Sequence, residues 1–221
     1  MTARPQPPRR PDLPASLVER APTRGELAES GALVAELRVV GAELRELDLR
    51  SLALRESRLE RVDLSGSRLD GCGFTDVVLD DVDLSNVRAQ GSSLVRVEIR
   101  NSRLTGIEWR EGLLRDVLFD GCRLDLASLR FSTLERVAFR DCRLDEADLY
   151  GVKAESLLLE SSSLVRADLA QARLSAAELR RCELDELGGI ESLRGAAMPW
   201  ADVVATAGAL AAAAGISVLD E

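Results

Sequence analysis

Four cysteines, Cys72, Cys122, Cys142 and Cys182, are the residues in this 221-residue sequence best suited to metal or redox chemistry. Their spacings are multiples of ten, with Cys122 and Cys142 twenty apart and Cys182 forty further on. No C-x-x-C pair is present and the chain has no histidine, so the commonest metal ligand and the usual general base are both missing. Carboxylates offer a second source of chemistry, in neighbours such as Asp80 and Asp81, Asp145 and Glu146, or Glu108 and Glu111 around Arg110. Acid–base work requires such groups to sit in a concave, partly buried site that shifts their pKa values. What the carboxylates and thiols do therefore depends on the elements that hold them.

Those elements follow a five-residue beat. From Ala42 to Glu186 an apolar residue, large except at Ala89 and Ala154, stands at every number ending in 4 or 9, and a small or apolar residue stands two before it. Of these 29 centres 22 are Leu, and none of the 58 paired positions is charged although 30% of the chain is. Chance would give that on the order of one time in a billion, so burial enforces it. Residues two apart share one face of a strand, so each unit reads as a short side with two inward residues followed by a corner. Four sides return the chain above its start, as a square coil of 20 residues, and stacked coils share one core.

The units VDLSG (62–66), VDLSN (82–86), ADLYG (147–151) and ADLAQ (167–171) resemble the A(D/N)LXX consensus of the pentapeptide-repeat family. The resemblance implies an all-β solenoid, a right-handed quadrilateral β-helix of about seven coils, over 42–186. Centres twenty apart should then stack about 4.8 Å from one another. Phe119 and Phe139 fall on adjacent coils of one column, and Trp109 falls beside Ala89, the smallest centre of another. All four cysteines take the small inward position, where Cys behaves as a compact apolar residue, and they are expected as buried reduced thiols. The carboxylates are expected on exposed convex sides. No catalytic, cofactor or metal residue is assigned, and the chain is read as a non-enzyme.

The ends differ. Residues 1–12, MTARPQPPRRPD, are rich in Pro and Arg and are expected to be a disordered tail. Residues 13–41 are expected to hold an N-terminal cap, short and helical or irregular, and the first coil, with Val34 and Val39 at centre positions. After Glu186 the beat fails at Leu187-Gly188-Gly189, so 187–221 is expected to be a C-terminal cap, with a helix over about 199–214 and a last strand over about 216–219. Trp200, Val203, Val204 and Leu210 lie roughly on one face of that helix, as a cap over the core or a dimer contact. The resemblance to gyrase-inhibiting members, whose C-terminal end forms the dimer contact, implies a homodimer.

Two binding functions compete. The family resemblance implies a mimic of DNA that occupies DNA gyrase or topoisomerase IV, modulating it or protecting it from quinolones. The other is a protein-interaction scaffold using the outer faces. The Leu44 side is the most acidic, through Glu43, Asp63, Asp83, Asp145, Glu183, Asp185 and Glu186, but Arg103, Arg123 and Arg143 interrupt it. Summed over the outward residues of all four sides the charge is −7, about one per coil, where duplex DNA would require about three. A net charge of −9 argues against direct binding to nucleic acid or to an anionic membrane. The scaffold reading has its own feature, an outward column of Arg58, Val78, Glu98, Leu118, Ala138, Leu158 and Glu178. Its apolar members are expected to be covered by the N-terminal segment or to meet a partner. With no apolar run of 18 residues and no signal-like N-terminus, the chain is expected in the cytoplasm.

Overall fold

A backbone that must turn every five residues needs a special conformation at each turn, and here the corner is left-handed. The computed structural model describes residues 4–29 and 31–217. In it, 24 non-glycine residues from Glu36 to Glu186, all at numbers ending in 1 or 6, have φ between 46 and 62°. Glycine takes the same corner elsewhere, as at Gly71 and Gly91. The corner falls two residues after each centre, which leaves the centre and the residue two before it on the inner face.

Chain order gives β1 (Val18–Glu19), α1 (Arg24–Ala28), β2 (Leu33–Ala35), β3 (Leu37–Val40), β4 (Ala53–Glu60), β5 (Gly73–Asp80), β6 (Ser93–Arg100), β7 (Leu113–Asp120), β8 (Thr133–Arg140), β9 (Lys153–Glu160), β10 (Arg173–Ser175) and β11 (Glu178–Arg180). All pair in parallel in one sheet, with register shifts of twenty residues from β2 and β3 onward, so the strands form eight levels of a solenoid. Each eight-residue strand spans the Leu54 and Leu59 sides around one corner. The other two sides are tied by single bridges such as Glu43↔Asp63 and Asp48↔Arg68. Among the described residues no helix is long and apolar enough to cross a membrane.

Packing follows the columns. Leu59, Leu79, Ile99, Phe119, Phe139, Leu159 and Leu179 stand over one another. The two Phe rings stack with centroids 4.6 Å apart and planes 5° from parallel, a direct result of the 20-residue coil. Trp109 is buried and tilts against Phe74, and its indole N–H donates to the Ser92 carbonyl oxygen at 3.1 Å. Ala89 is not the whole reason it fits. A Cβ added at Gly112 would lie 2.4 Å from Trp109 Nε1 and 2.7 Å from the Ser92 carbonyl oxygen, so the one glycine in a small inward position makes room for the indole.

The ends are closed by different means. At the first coil the capping box of α1 fixes the short helix: Glu26 N–H donates to Thr23 Oγ1, and Thr23 N–H donates to the Glu26 carboxylate. Leu27 is thereby set into the open end of the core, with Pro22 also buried. At the last coil Leu187 is still inward and Gly188 still bridges to Asp168, so the coil runs slightly past the expected break. A 3-10 helix at Ile190–Leu193 then lays Ile190 and Leu193 over the core. The expected helix over 199–214 is two pieces, α2 (Trp200–Ala205) and α3 (Ala207–Ala213). Thr206 separates them, its hydroxyl donating back to the Asp202 carbonyl oxygen. Neither piece buries a residue, and only Leu210 packs against the core. A run of alanines has too little apolar area to do more. Ile216 and Ser217 are in no strand, and the rest of the expected strand over 216–219 lies outside the described residues.

The largest departure is at the N-terminus. Residues 4–12 are not a free tail: they run across the strands, against the corner between the Leu54 and Leu59 sides. The Asp12 N–H donates to Asp76 Oδ1 at 3.0 Å and the Arg9 N–H to Asp116 Oδ1 at 3.1 Å. Both carboxylates are buried, and each is gripped by the arginine one coil on, Asp76 by Arg96 and Asp116 by Arg136, at 2.6 Å. The Arg96 fork is the main influence holding the Asp76 carboxyl below the usual aspartate range, against burial and with help from the Asp12 amide. Burial is the largest single influence on Asp116 and pushes its carboxyl up, but Arg136 and the Arg9 amide together outweigh it and the net displacement is downward. Composition suggested disorder because it counted apolar residues, whereas this strap is held by prolines and two amides.

Replacing Gly112 with Ala should destabilise the chain by about 1–3 kcal/mol, the range for overpacking a filled core. A second change, Trp109→Leu, should restore part of that loss because it removes the clashing indole. Denaturant midpoints of the two single variants and the double variant check this: additive losses would show that the two sites do not share the space.

Candidate interaction surfaces

Several polar residues at the small inward position bond to the coil before them. Ser67, Ser92 and Ser132 donate their hydroxyls to carbonyl oxygens 23 residues earlier, those of Leu44, Leu69 and Trp109. Cys72 and Cys122 do the same with their thiols, toward Leu49 and Ile99. The cysteines thus take the place of serine in a structural role. All four are free, three of them buried and Cys182 half-buried. Burial pushes the Cys72 thiol up to about 11, and the neighbouring Cys122 thiol, with burial, pushes Cys142 up as well. Held protonated, Cys72 and Cys142 are poor nucleophiles and poor ligands, whereas the hydrogen bond from Cys142 moves the Cys122 thiol downward against its burial. Among the described residues no three His, Cys, Asp or Glu side chains gather into a metal site.

The acidic side is broken up by its own structure. Asp63 Oδ1 and Asp83 Oδ1 accept the N–H of Ser65 and of Ser85, two residues on, each at 2.9 Å. Asp148 and Asp168 do likewise for Tyr150 and Ala170 on the next side. The Asp of the VDL and ADL units therefore holds the turn on the two sides that lack strands. Its recurrence in the repeat was the signal for this role, and the sequence reading, which placed it simply on the surface, missed it. Arginines neutralise much of the rest: Arg45 reaches Asp63 at 2.7 Å, and Arg143 lies between Asp125 at 2.6 Å and Asp145 at 3.3 Å. Arg103, Arg123 and Arg143 stack in one column and separate Glu43, Asp63 and Asp83 from the exposed Glu183 and Asp185. The acidic candidates do not form one surface.

Of the apolar outward column, Val78, Glu98 and Ala138 are buried and Leu118 and Leu158 half-buried. Arg4 to Pro8 line a groove with Leu158, Arg140, Glu160, Glu178 and Arg180, so the N-terminal strap lies over this column. A different apolar group remains open. Leu126 and Phe131 occupy the two corners of the Leu129 side and are 57% and 52% exposed. Tyr150 meets the Phe131 ring edge-on at 5.5 Å, and the Arg130 guanidinium sits 4.5 Å from the tyrosine ring and 5.4 Å from the phenylalanine ring. The space for Phe131 comes from Gly151 on the next coil, where an added Cβ would lie 2.7 Å from the ring. At the C-terminal end Trp200 is 78% exposed and Val204 56% exposed, while Val203 is half-buried.

The family comparison agrees with the five-residue repeat. The sequence model of the family described as pentapeptide repeats matches eight copies, over residues 42–81 and 114–155. No curated protein matches the chain. Among solved structures the chain is similar to HetL, a pentapeptide-repeat protein involved in heterocyst differentiation regulation from the cyanobacterium Nostoc, at 21% identity over 80% of this chain and 93% of that one, with a TM-score of 0.36. It is similar to QnrB1, a plasmid-mediated fluoroquinolone resistance protein, at 18% identity over 85% of this chain and 100% of that one, with a TM-score of 0.36. A pentapeptide-repeat protein from the cyanobacterium Cyanothece, Rfr23, shares 16% identity over 74% of this chain and 88% of its own, with a TM-score of 0.29. The unbroken five-residue register, the left-handed corners and the matched segments agree: the chain carries pentapeptide repeats over residues 42–81 and 114–155.

Proposed function

We propose that this chain is a non-enzymatic scaffold in the cytoplasm that binds another protein through its outer faces. The observation that carries this reading is the group of Phe131, Tyr150 and Arg130, with Phe131 52% exposed and Leu126 exposed at the other corner of the same side. Aromatic and Arg side chains on a rigid surface are what protein interfaces favour at their centres. The left-handed corner also presents Phe131 away from the core at no cost to the coil's register. Changing Phe131 to Asp, which tolerates the left-handed corner, should leave the thermal midpoint within a few degrees and weaken retention of bound protein from a lysate of the source cells at least tenfold. Equal retention by both forms would exclude this face.

The DNA-mimic reading is the weaker alternative, because the arginine column divides the acidic side and Asp63, Asp83 and Asp145 are already engaged. In a gyrase supercoiling assay we expect neither inhibition nor protection from a fluoroquinolone at micromolar protein. Either effect would reverse the ranking.

The exposed Trp200 and Val204 support a homodimer through the C-terminal end, since a lone surface tryptophan at 78% exposure leaves a large apolar area in water. Light scattering across a concentration series should give a dimer for the native chain and a monomer for Trp200→Glu. A native monomer at all concentrations would remove the proposal.

A further inference from the structure

The strap and the face beneath it share a period. Pro5, Pro8, Pro11 and Pro14 are half-buried, and the residues after the middle two, Arg9 and Asp12, supply the amides that reach the rod. A repeat of three in the half-buried prolines, to which Leu13 adds one more half-buried residue, is that of a polyproline II helix, which advances about 9.3 Å in three residues. Two coils of the solenoid advance about 9.6 Å. The face matches that step, because its features recur every 40 residues: Asp76 and Asp116 as acceptors, Arg96 and Arg136 as their partners, and Val78, Leu118 and Leu158 as the apolar row. Forty residues beyond Asp116 the same place on the face holds Ser156, which is also buried.

We propose that this face is a recognition groove for proline-rich segments of a partner protein with proline at every third residue, and that the chain's own residues 4–14 occupy it in cis. The fit is chemical as well as periodic. Proline lacks an N–H, so a strand of prolines makes no demand on the sheet's outer surface, while the free amide after a proline meets a carboxylate already charged and fixed by arginine. The strap is lightly held: among the described residues the two amide–carboxylate bonds are the hydrogen bonds that tie residues 4–12 to the body, and its prolines keep part of their surface in water. A partner segment offering the same spacing over a greater length would displace it. The proposal rests on the reading of the chain as a binding module, but uses a different face from Phe131, so either can fail alone.

The test uses the full chain with Pro8→Asp and Pro11→Asp, which sets new carboxylates beside the Asp116 and Asp76 side chains that accept the strap's amides and releases the strap. The probe is a labelled synthetic peptide with the sequence of residues 3–15, read by fluorescence anisotropy. A control peptide has the same composition with its prolines moved out of the three-residue spacing. The released variant should bind the in-register peptide saturably and at least tenfold more tightly than the native chain, whose own strap competes, and at least tenfold more tightly than it binds the control. Binding of both peptides equally, or of neither by a variant that keeps the native circular dichroism, would overturn the proposal. So would a native dimer that the double substitution converts to monomer, because the occupant would then be a second copy's strap. Hydrogen exchange on the native chain gives an independent reading. The Arg9 and Asp12 amides should be protected alone and lose protection with excess in-register peptide; protection unchanged at saturating peptide would also overturn it.

Discussion

The left-handed corner is the constraint on which the rest of the molecule depends. Placing an L-residue there costs roughly 1–2 kcal/mol, and the chain does so 24 times without glycine. The conformation persists because each corner is flanked by hydrogen bonds to the coils on either side, as where the Glu46 amide donates to Ser65 and the Leu126 amide to Asp145. The stack of coils therefore enforces the corner, and the corner enforces the stack. Such mutual support explains why the five-residue register runs without a slip from Val34 to Leu184: one inserted residue would turn every later inward side chain toward water.

That constraint also decides which residues were legible in the sequence. The inward pairs were legible because they are chosen by burial alone, and a charge at any of them would lack a partner. From them came the 20-residue coil, the Phe119–Phe139 stack and the buried setting of Trp109. The ends were less legible, because they answer to no repeat. Alternation could not tell that Ile190 and Leu193 would cover the core in place of the helix beginning at Trp200, since both segments offer apolar residues and only geometry at the last coil separates them. The strap was misread for a related reason. Its signal is the three-residue spacing of Pro5, Pro8, Pro11 and Pro14, which gains meaning only beside a face that repeats every forty residues.

Charge on this surface obeys the same logic. Of 29 basic residues 28 are arginine, with Lys153 the single lysine. An arginine fork can bridge between coils, as Arg96 does to Asp76 and Arg115 to Glu135, because its planar donors match a carboxylate one coil away. Many of the outward charges are thereby joined into rungs parallel to the axis. A surface built this way is rigid and close to neutral over short distances, whatever its net charge. Net charge is then a poor guide to partner, and the resemblance of the whole rod to a polyanion is weaker than −9 suggests.

What remains for recognition is the set of positions that the coil does not use. Corner side chains are outward by geometry and carry no packing duty, so a corner can hold Phe131 as readily as Gln171 at the same place two coils later. The thiols and the turn-holding aspartates have no such freedom, since their polar atoms are engaged by the backbone of their own or adjacent coils. In a four-sided solenoid the corners and the face between two strand-bearing sides are therefore where a sequence can change its partner without changing its fold. Both places are marked here, one by an aromatic pair left in the open and the other by a face whose spacing matches a polyproline turn.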